Sequence, residues 1–416
     1  MPRLLIFCDA FQPPAYLPRL RYLCSYLTER GWQLTVVTET VKHEPNCPPV
    51  SARFIAIPYY RTTSRFNKID WVIKIALNML FDYKGRLFYR RATRLLKGES
   101  FDAVFCTTFS TFPLPTAERF AEKHALPLMV DLRDIVEQAP VSIPFQHRPP
   151  RFLGKQIVSS YYRLHIRRRN RTLRKAACIT TVSPWHVELI RQINPNTHLI
   201  YNGYDPAVFY PGKVISPVFE IVYTGRIYSE DFRDPTLLFE ALSLLLHRGE
   251  VTPEQIVLSW YVDEQSQKRL ARLAADRHVK AMMQYHAFVH PKEIPDILRR
   301  SSIILVLTSE SNACKTHGIL TTKFFEAIGV NKPVLCIPND GSHLARLIRE
   351  VNVGIAAENA EQVADFILHQ LQCRQQQGYT SAALNQSAAA QFSRLTQGNI
   401  FEDFLKQMID HTSQSL

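Results

Sequence analysis

Short apolar runs bounded by polar turns recur along the chain, with amphipathic stretches of helical length between them. Leu4-Leu5-Ile6-Phe7-Cys8 is continuously apolar, the pattern of a parallel-sheet strand covered on both faces. Leu20, Leu23 and Leu27 follow at helical spacing as far as Gly31, and Trp32 to Thr38 forms a second strand. Strand, helix, strand is a βαβ unit, and further strands are expected at 101–106, 128–130 and 177–183. Pro206, Pro211, Gly212 and Pro217 read as an interdomain linker. The rhythm restarts at Phe219 to Arg226 and continues at 256–261, 285–289, 303–307 and 334–337. The pattern predicts an α/β protein built on parallel sheets.

The most informative stretch runs from His317 to Pro338. Thr321 and Thr322 are good N-cap types, Phe324, Phe325 and Ile328 form an inner helical face, and Gly329 is expected to end the helix. Val334-Leu335-Cys336-Ile337 then enters a buried strand. Such a helix start presents unpaired N–H groups and the positive end of a dipole, which suits a phosphate. Lys323 adds a mobile charge there, and Glu326, one turn on, can accept hydrogen bonds from a ribose diol. An ordinary core helix with a Lys/Glu exposed face fits the same residues.

Composition narrows the classes. At 416 residues the chain should hold two to three domains, and its 14 glycines include no Gly-x-Gly-x-x-Gly fingerprint. The eight cysteines are scattered without a Cys-x-x-Cys pair, so they read as buried thiols of a reducing compartment. His286, His290 and His317 lack metal-ligand spacing. No apolar run is long enough to span a bilayer, and the first strand is too short for a signal segment, so a cytoplasmic or peripheral location is expected.

The net charge of +13 favours an anionic partner. Residues 61–98 carry ten Lys/Arg against Asp70 and Asp82, interleaved with aromatic and aliphatic positions. Residues 146–175 carry ten more and no acid. These blocks suit helices docking on the anionic inner face of a membrane. They also fit core-facing helices with solvated basic faces. Nucleic-acid binding has no recognition motif to support it, and none is expected.

Gly318-(x)4-Lys323-Phe324-Phe325-Glu326-Ala327, continuing through Asn331-Lys332-Pro333-Val334, resembles the nucleotide-sugar site of GT-B glycosyltransferases. The likeness is to the retaining glycosyltransferase family 4, in the subgroup reading Gly-(x)4-Lys-(x)2-Glu; many other members have an acid at the position of Gly318. It implies two doubly wound Rossmann-like domains facing across a cleft. Residues 1–210 would be the acceptor-side domain, 211–392 the donor domain, and 393–416 a helix returning to the first domain. By resemblance, Glu326 holds the donor ribose, while Gly318, Thr321 and Thr322 lie along the diphosphate. Gly225-Arg226 closes the first strand of the donor domain, with Arg226 and Lys323 on the diphosphate. Where the family often has a Lys this chain has Asp231, and Arg233 is expected to substitute.

In the first domain Asp131-Leu132-Arg133-Asp134 is similar to the family's turn at the acceptor cleft, which makes Asp134 the candidate catalytic carboxylate. Tyr16, Arg19 and Thr108 are acceptor-side candidates, although Pro13-Pro14 also fits a simple stiff turn and Asp134 a helix-capping ion pair. The resemblance implies transfer of a hexose-type sugar from a nucleoside-diphosphate sugar to a glycan or lipid-linked acceptor, in cell-surface polysaccharide synthesis. No metal and no other cofactor are expected, because cationic side chains carry the phosphate charge. A nucleotide-sugar epimerase and a non-catalytic nucleotide- or membrane-binding relative are the alternatives.

Overall fold

The computed structural model describes the chain apart from residues 10, 12–17, 42–49, 60–72, 75–76, 79, 109–110, 136, 138–153, 228–232, 276–277, 309–319, 340, 342 and 416. It divides into two compact units, residues 1–201 with 398–416, and residues 202–397. The first boundary falls at Tyr201 and not at the expected 210. Residues 202–210 join the second unit because Tyr204 pairs with Ser393 and its ring, with Phe209, packs on Gly329.

The first unit holds a parallel sheet of strands β1 (Arg3–Cys8), β2 (Gln33–Thr38), β3 (Arg53–Ala56), β4 (Ala103–Thr108), β5 (Leu128–Leu132), β6 (Cys178–Thr181) and β7 (Thr197–Leu199). Its order is β3-β2-β1-β4-β5-β6-β7, so the winding reverses between β1 and β4. Helices α1 (Pro18–Glu29), α2 (Tyr83–Leu95), α3 (Leu114–Lys123), α4 (Gly154–Lys175) and α5 (Pro184–Arg191) connect the strands. Alternation along β1 supplies two cores: Leu4, Ile6 and Cys8 face α1, while Leu5 and Phe7 join Phe88 of α2 and Phe120 of α3. The chain's last helix, Arg394–Ser415, seats Phe401, Leu405 and Met408 in the α1 core. Glu402 fixes it there by accepting from Trp32 Nε1 at 3.1 Å.

The second unit repeats the plan with β8 (Phe219–Thr224), β9 (Ile256–Tyr261), β10 (Met283–His286), β11 (Ile303–Leu307), β12 (Val334–Ile337) and β13 (Gly354–Ala356). Here the order is β10-β9-β8-β11-β12-β13, all parallel, and the winding reverses between β8 and β11. The connecting helices are α6 (Thr236–His247), α7 (Glu264–Leu273), α8 (Ile294–Arg300), α9 (Thr322–Val330), α10 (His343–Val351), α11 (Ala360–Gln377) and α12 (Gln386–Ala390). Leu238, Leu242 and Leu245 of α6 meet Val363, Ile367 and Leu371 of α11 beneath one face of the sheet. Such doubly wound sheets bind ligands beyond the carboxyl ends of the strands at the reversal. In this unit the turn after β8 and the start of α9 occupy that place.

Candidate donor site at the β8–β11 reversal

Helix α9 is fixed from below. Phe324 and Phe325 are fully buried, and both rings pack on Phe392 at centroid distances of 5.8 and 5.5 Å. That burial is worth about 2 kcal/mol per ring, so the outward residues Thr322, Lys323 and Glu326 ride on a rigid element. The helix ends differently from the sequence expectation. Asn331, at φ 55°, takes the left-handed position after Val330, and Gly329 lies inside the helix. A β-carbon on Gly329 would stand 2.7 Å from Phe209 Cβ and from Tyr204 Cδ2, so the glycine is there for close packing. Thr321 occupies the N-cap position in an extended conformation, but its hydroxyl makes no capping bond. The chain leaves that helix start to other partners.

Beyond β8, Gly225 has φ 133°, a conformation few residues other than glycine tolerate, and its N–H donates to Tyr261 O at 3.0 Å. The resulting turn brings two of the candidate cations, Lys323 and Arg233, together. Lys323 Nζ lies 2.9 Å from where a β-carbon on Gly225 would be. Arg233 Nη1 donates to Arg226 O at 2.6 Å and to the Tyr223 hydroxyl at 3.2 Å. Arg233 thus returns to the β8 turn.

Arg226 is exposed, and its Nε pairs with Asp263 at 3.0 Å. Its guanidinium also lies 5.4 Å from the Phe288 ring centroid. Asp263 caps α7 by accepting from Ser266 N at 2.8 Å. Burial pushes its carboxyl up, but the Ser266 bonds and the nearby Arg226 and Arg269 hold it below the usual range.

Electrostatics mark the same place. Burial and the neighbouring Arg233 charge bring the Lys323 ammonium down to about 8, partly opposed by Glu326. Burial pushes the Glu326 carboxyl up, against the pull of Lys323 and Arg394. Among the described residues neither Lys323 nor Glu326 has a hydrogen-bond or ion-pair partner. A cation kept short of anions and a carboxylate kept short of donors suit a ligand bearing both phosphate and hydroxyl groups. Among the described residues no cluster of metal-ligating side chains occurs.

Gly318 and Tyr16 lie outside the described residues, as do His317, Asp231 and much of the two basic blocks. In the first unit Asp134 is exposed just past β5, and Thr108 is buried at the end of β4, donating to Phe112 O at 2.7 Å. Arg19 is committed elsewhere: it pairs with Asp131 at 2.8 Å and donates to the Ile200 and Tyr201 carbonyls. Asp131 also accepts from Thr107 and Thr180, so this carboxylate ties the strands together. The basic blocks are partly internal as well. Lys84 is buried against Glu39 and the Phe112 ring, and Arg169 makes a two-pronged pair with Glu137. Sequence reasoning passed over Tyr223 and Asp263. Tyr223 is a polar-tipped residue near the carboxyl end of the reversal strand β8 and Asp263 lies just past the end of its neighbour β9, which is the signal that marks them.

Comparison with known proteins agrees with this architecture. Residues 16–203 match the model of the glycosyl transferase 4-like domain. This chain has the GT-B fold. HepE from Anabaena, solved with UDP and glucose, is similar over 98% of this chain and 100% of its own, with TM-score 0.63 and 13% identity. Sucrose-phosphate synthase from Thermosynechococcus elongatus matches over 99% and 100%, with TM-score 0.62 and 12% identity. A glycosyltransferase from Rickettsia africae matches over 98% and 99%, with TM-score 0.63 and 14% identity. No curated protein matches the sequence.

Proposed function

We infer that this GT-B chain is an active glycosyltransferase whose second unit binds a nucleoside-diphosphate sugar, with a UDP-sugar the first to test. One observation carries the reading: Gly225, Arg226, Arg233 and Lys323 converge where the winding reverses, with Glu326 one helical turn from Lys323. HepE, of similar fold, has been solved with UDP-glucose. When the bond between the anomeric carbon and the diphosphate oxygen breaks, negative charge grows on the diphosphate. Preorganised cations beside that oxygen stabilise the transition state more than the ground state. Arg226, Arg233 and Lys323 supply the charge, the Thr321–Thr322 helix start supplies N–H groups, and Glu326 accepts from the ribose.

The Gly-(x)4-Lys-(x)2-Glu motif favours transfer of a hexose with retention, to a glycan or lipid-linked acceptor of a surface polysaccharide. Asp134, exposed beyond β5, is the candidate for the acceptor side. No metal takes part in this reading, so activity should survive a chelator.

The first unit is proposed to rest on an anionic membrane. Ile73, Leu80, Phe81 and Tyr83 are exposed beside the exposed Arg86, Arg90, Arg91 and Arg94. Among the described residues no helix is long and apolar enough to cross a membrane.

The test is calorimetric titration of UDP, GDP and ADP, then of their common sugars, into wild type and Glu326→Ala. Binding of one nucleotide, weakened in the variant, supports the donor site, and sugar transfer to an added acceptor separates an enzyme from a binding protein. A folded protein that binds none of the three refutes the reading.

A further inference from the structure

Tyr223 stands at the centre of the donor cluster without contributing a charge to it. Its ring is buried in the core of the second unit, 5.6 Å from that of Trp260, so the phenol is fixed by packing. Only its tip is polar. The hydroxyl donates to Arg226 O at 3.1 Å and accepts from Arg233 Nη1 at 3.2 Å. The Lys323 ammonium lies 5.3 Å from the ring centroid, within reach of the aromatic face. One side chain therefore touches the Gly225–Arg226 turn, the returning Arg233 and the α9 lysine, which the sequence brings from three separate segments.

We propose that Tyr223 is the positioning residue of this site: its hydroxyl keys the Arg233 guanidinium to the β8 turn, so that three cations meet one diphosphate. The argument rests on the donor-site reading above and adds a role for a residue that need not touch the ligand. Without the hydroxyl, Arg233 loses one of the bonds that hold it at the β8 turn. A long side chain that is less firmly held loses more rotational freedom on meeting a phosphate than one already fixed in place. The ring of phenylalanine would fill the same space, so Tyr223→Phe removes the key and leaves the packing.

The experiment is a double-mutant cycle read by UDP affinity in calorimetry, with Tyr223→Phe, Arg233→Ala and both together. Tyr223→Phe should weaken UDP about fivefold, the worth of one hydrogen bond. It should have no further effect in the Arg233→Ala background, because the group it positions is gone. Uridine, which carries no phosphate, should bind wild type and Tyr223→Phe equally when measured by competition; a general loosening of the site would weaken both ligands. Wild-type UDP affinity in Tyr223→Phe, an equal loss for uridine, or additive losses in the cycle would each overturn the positioning role while leaving the donor site standing. Absence of nucleotide binding by wild type would overturn both.

Discussion

The ammonium of Lys323 lies 2.9 Å from the point where a β-carbon would stand on Gly225. The two residues come from α9 and from the turn after β8, on either side of the reversal in the second sheet. At φ 133°, Gly225 holds a conformation that costs other residues about 1–3 kcal/mol, and any side chain there must also displace the lysine. Gly225→Ala should therefore fold, with an unchanged far-ultraviolet circular dichroism spectrum, and bind UDP at least about tenfold more weakly. Full affinity in that variant would mean the ammonium does not serve the ligand from where it sits.

Lys323 also sets a pH dependence. Its pKa is lowered to about 8, chiefly by burial, and a bound diphosphate restores the charged form. Below about 8 the lysine already holds its proton, so affinity is flat with respect to this group. Above it, binding must take up a proton, and affinity should fall roughly tenfold between pH 7 and pH 9. Calorimetry in buffers of different ionisation enthalpy would register the proton uptake. Lys323→Arg, always charged, should bind with no such slope. An equal slope in that variant assigns the titration elsewhere.

What the sequence made legible follows from burial. Strands β9, β11 and β12 fall at the residues their apolar runs marked, because each is interior to a sheet and covered on both faces. The strands the apolar runs miss lie at sheet edges, although interior β4 also falls two residues past its expected 101–106. β3, β7 and β13 went unread, and β10 lies two residues before its expected start; all four are edge strands with part-exposed positions and little periodicity to detect. The proposed donor residues are legible because Gly225-Arg226 and the Lys323/Glu326 spacing are local features. Tyr223 is not, because its significance depends on Arg233 folding back across a separate segment. Arg19 was misjudged for the converse reason: its partner Asp131 is remote in sequence, and the pair spends the charge on structure.

Gly329 illustrates how packing overrides local preference. Inside a helix, replacing glycine by alanine gains about 1 kcal/mol of intrinsic propensity. Here the added methyl would sit 2.7 Å from both Phe209 Cβ and Tyr204 Cδ2, and overpacking a tight core costs about 1–3 kcal/mol. The clash involves a Cβ and a ring, neither of which can swing away as the end of a flexible chain would, so it should win. Gly329→Ala is expected to lower the thermal midpoint, and a rise would show that residues 204–209 yield.

In the first unit, His186 should make stability acid-sensitive. Its ring is buried behind the end of β6 with Nδ1 3.0 Å from the Thr181 hydroxyl. Burial brings its pKa down to about 4, with the Arg169 charge adding to the effect and Glu137 opposing it. The folded chain thus holds fewer protons at this site than the unfolded chain between pH 4 and pH 6.5. The stabilising advantage of the neutral ring is complete above pH 6.5 and is lost as pH falls towards 4. By pH 5 the loss should be roughly 2 kcal/mol relative to pH 7. Glu137 and Glu118 do not confuse that window, because their pKa values are lowered and their own losses come at more acid pH. Urea unfolding of wild type and His186→Asn at pH 7 and pH 5 separates the contributions. The variant should lose markedly less stability between the two values, and an undiminished loss would trace the acid sensitivity to another group.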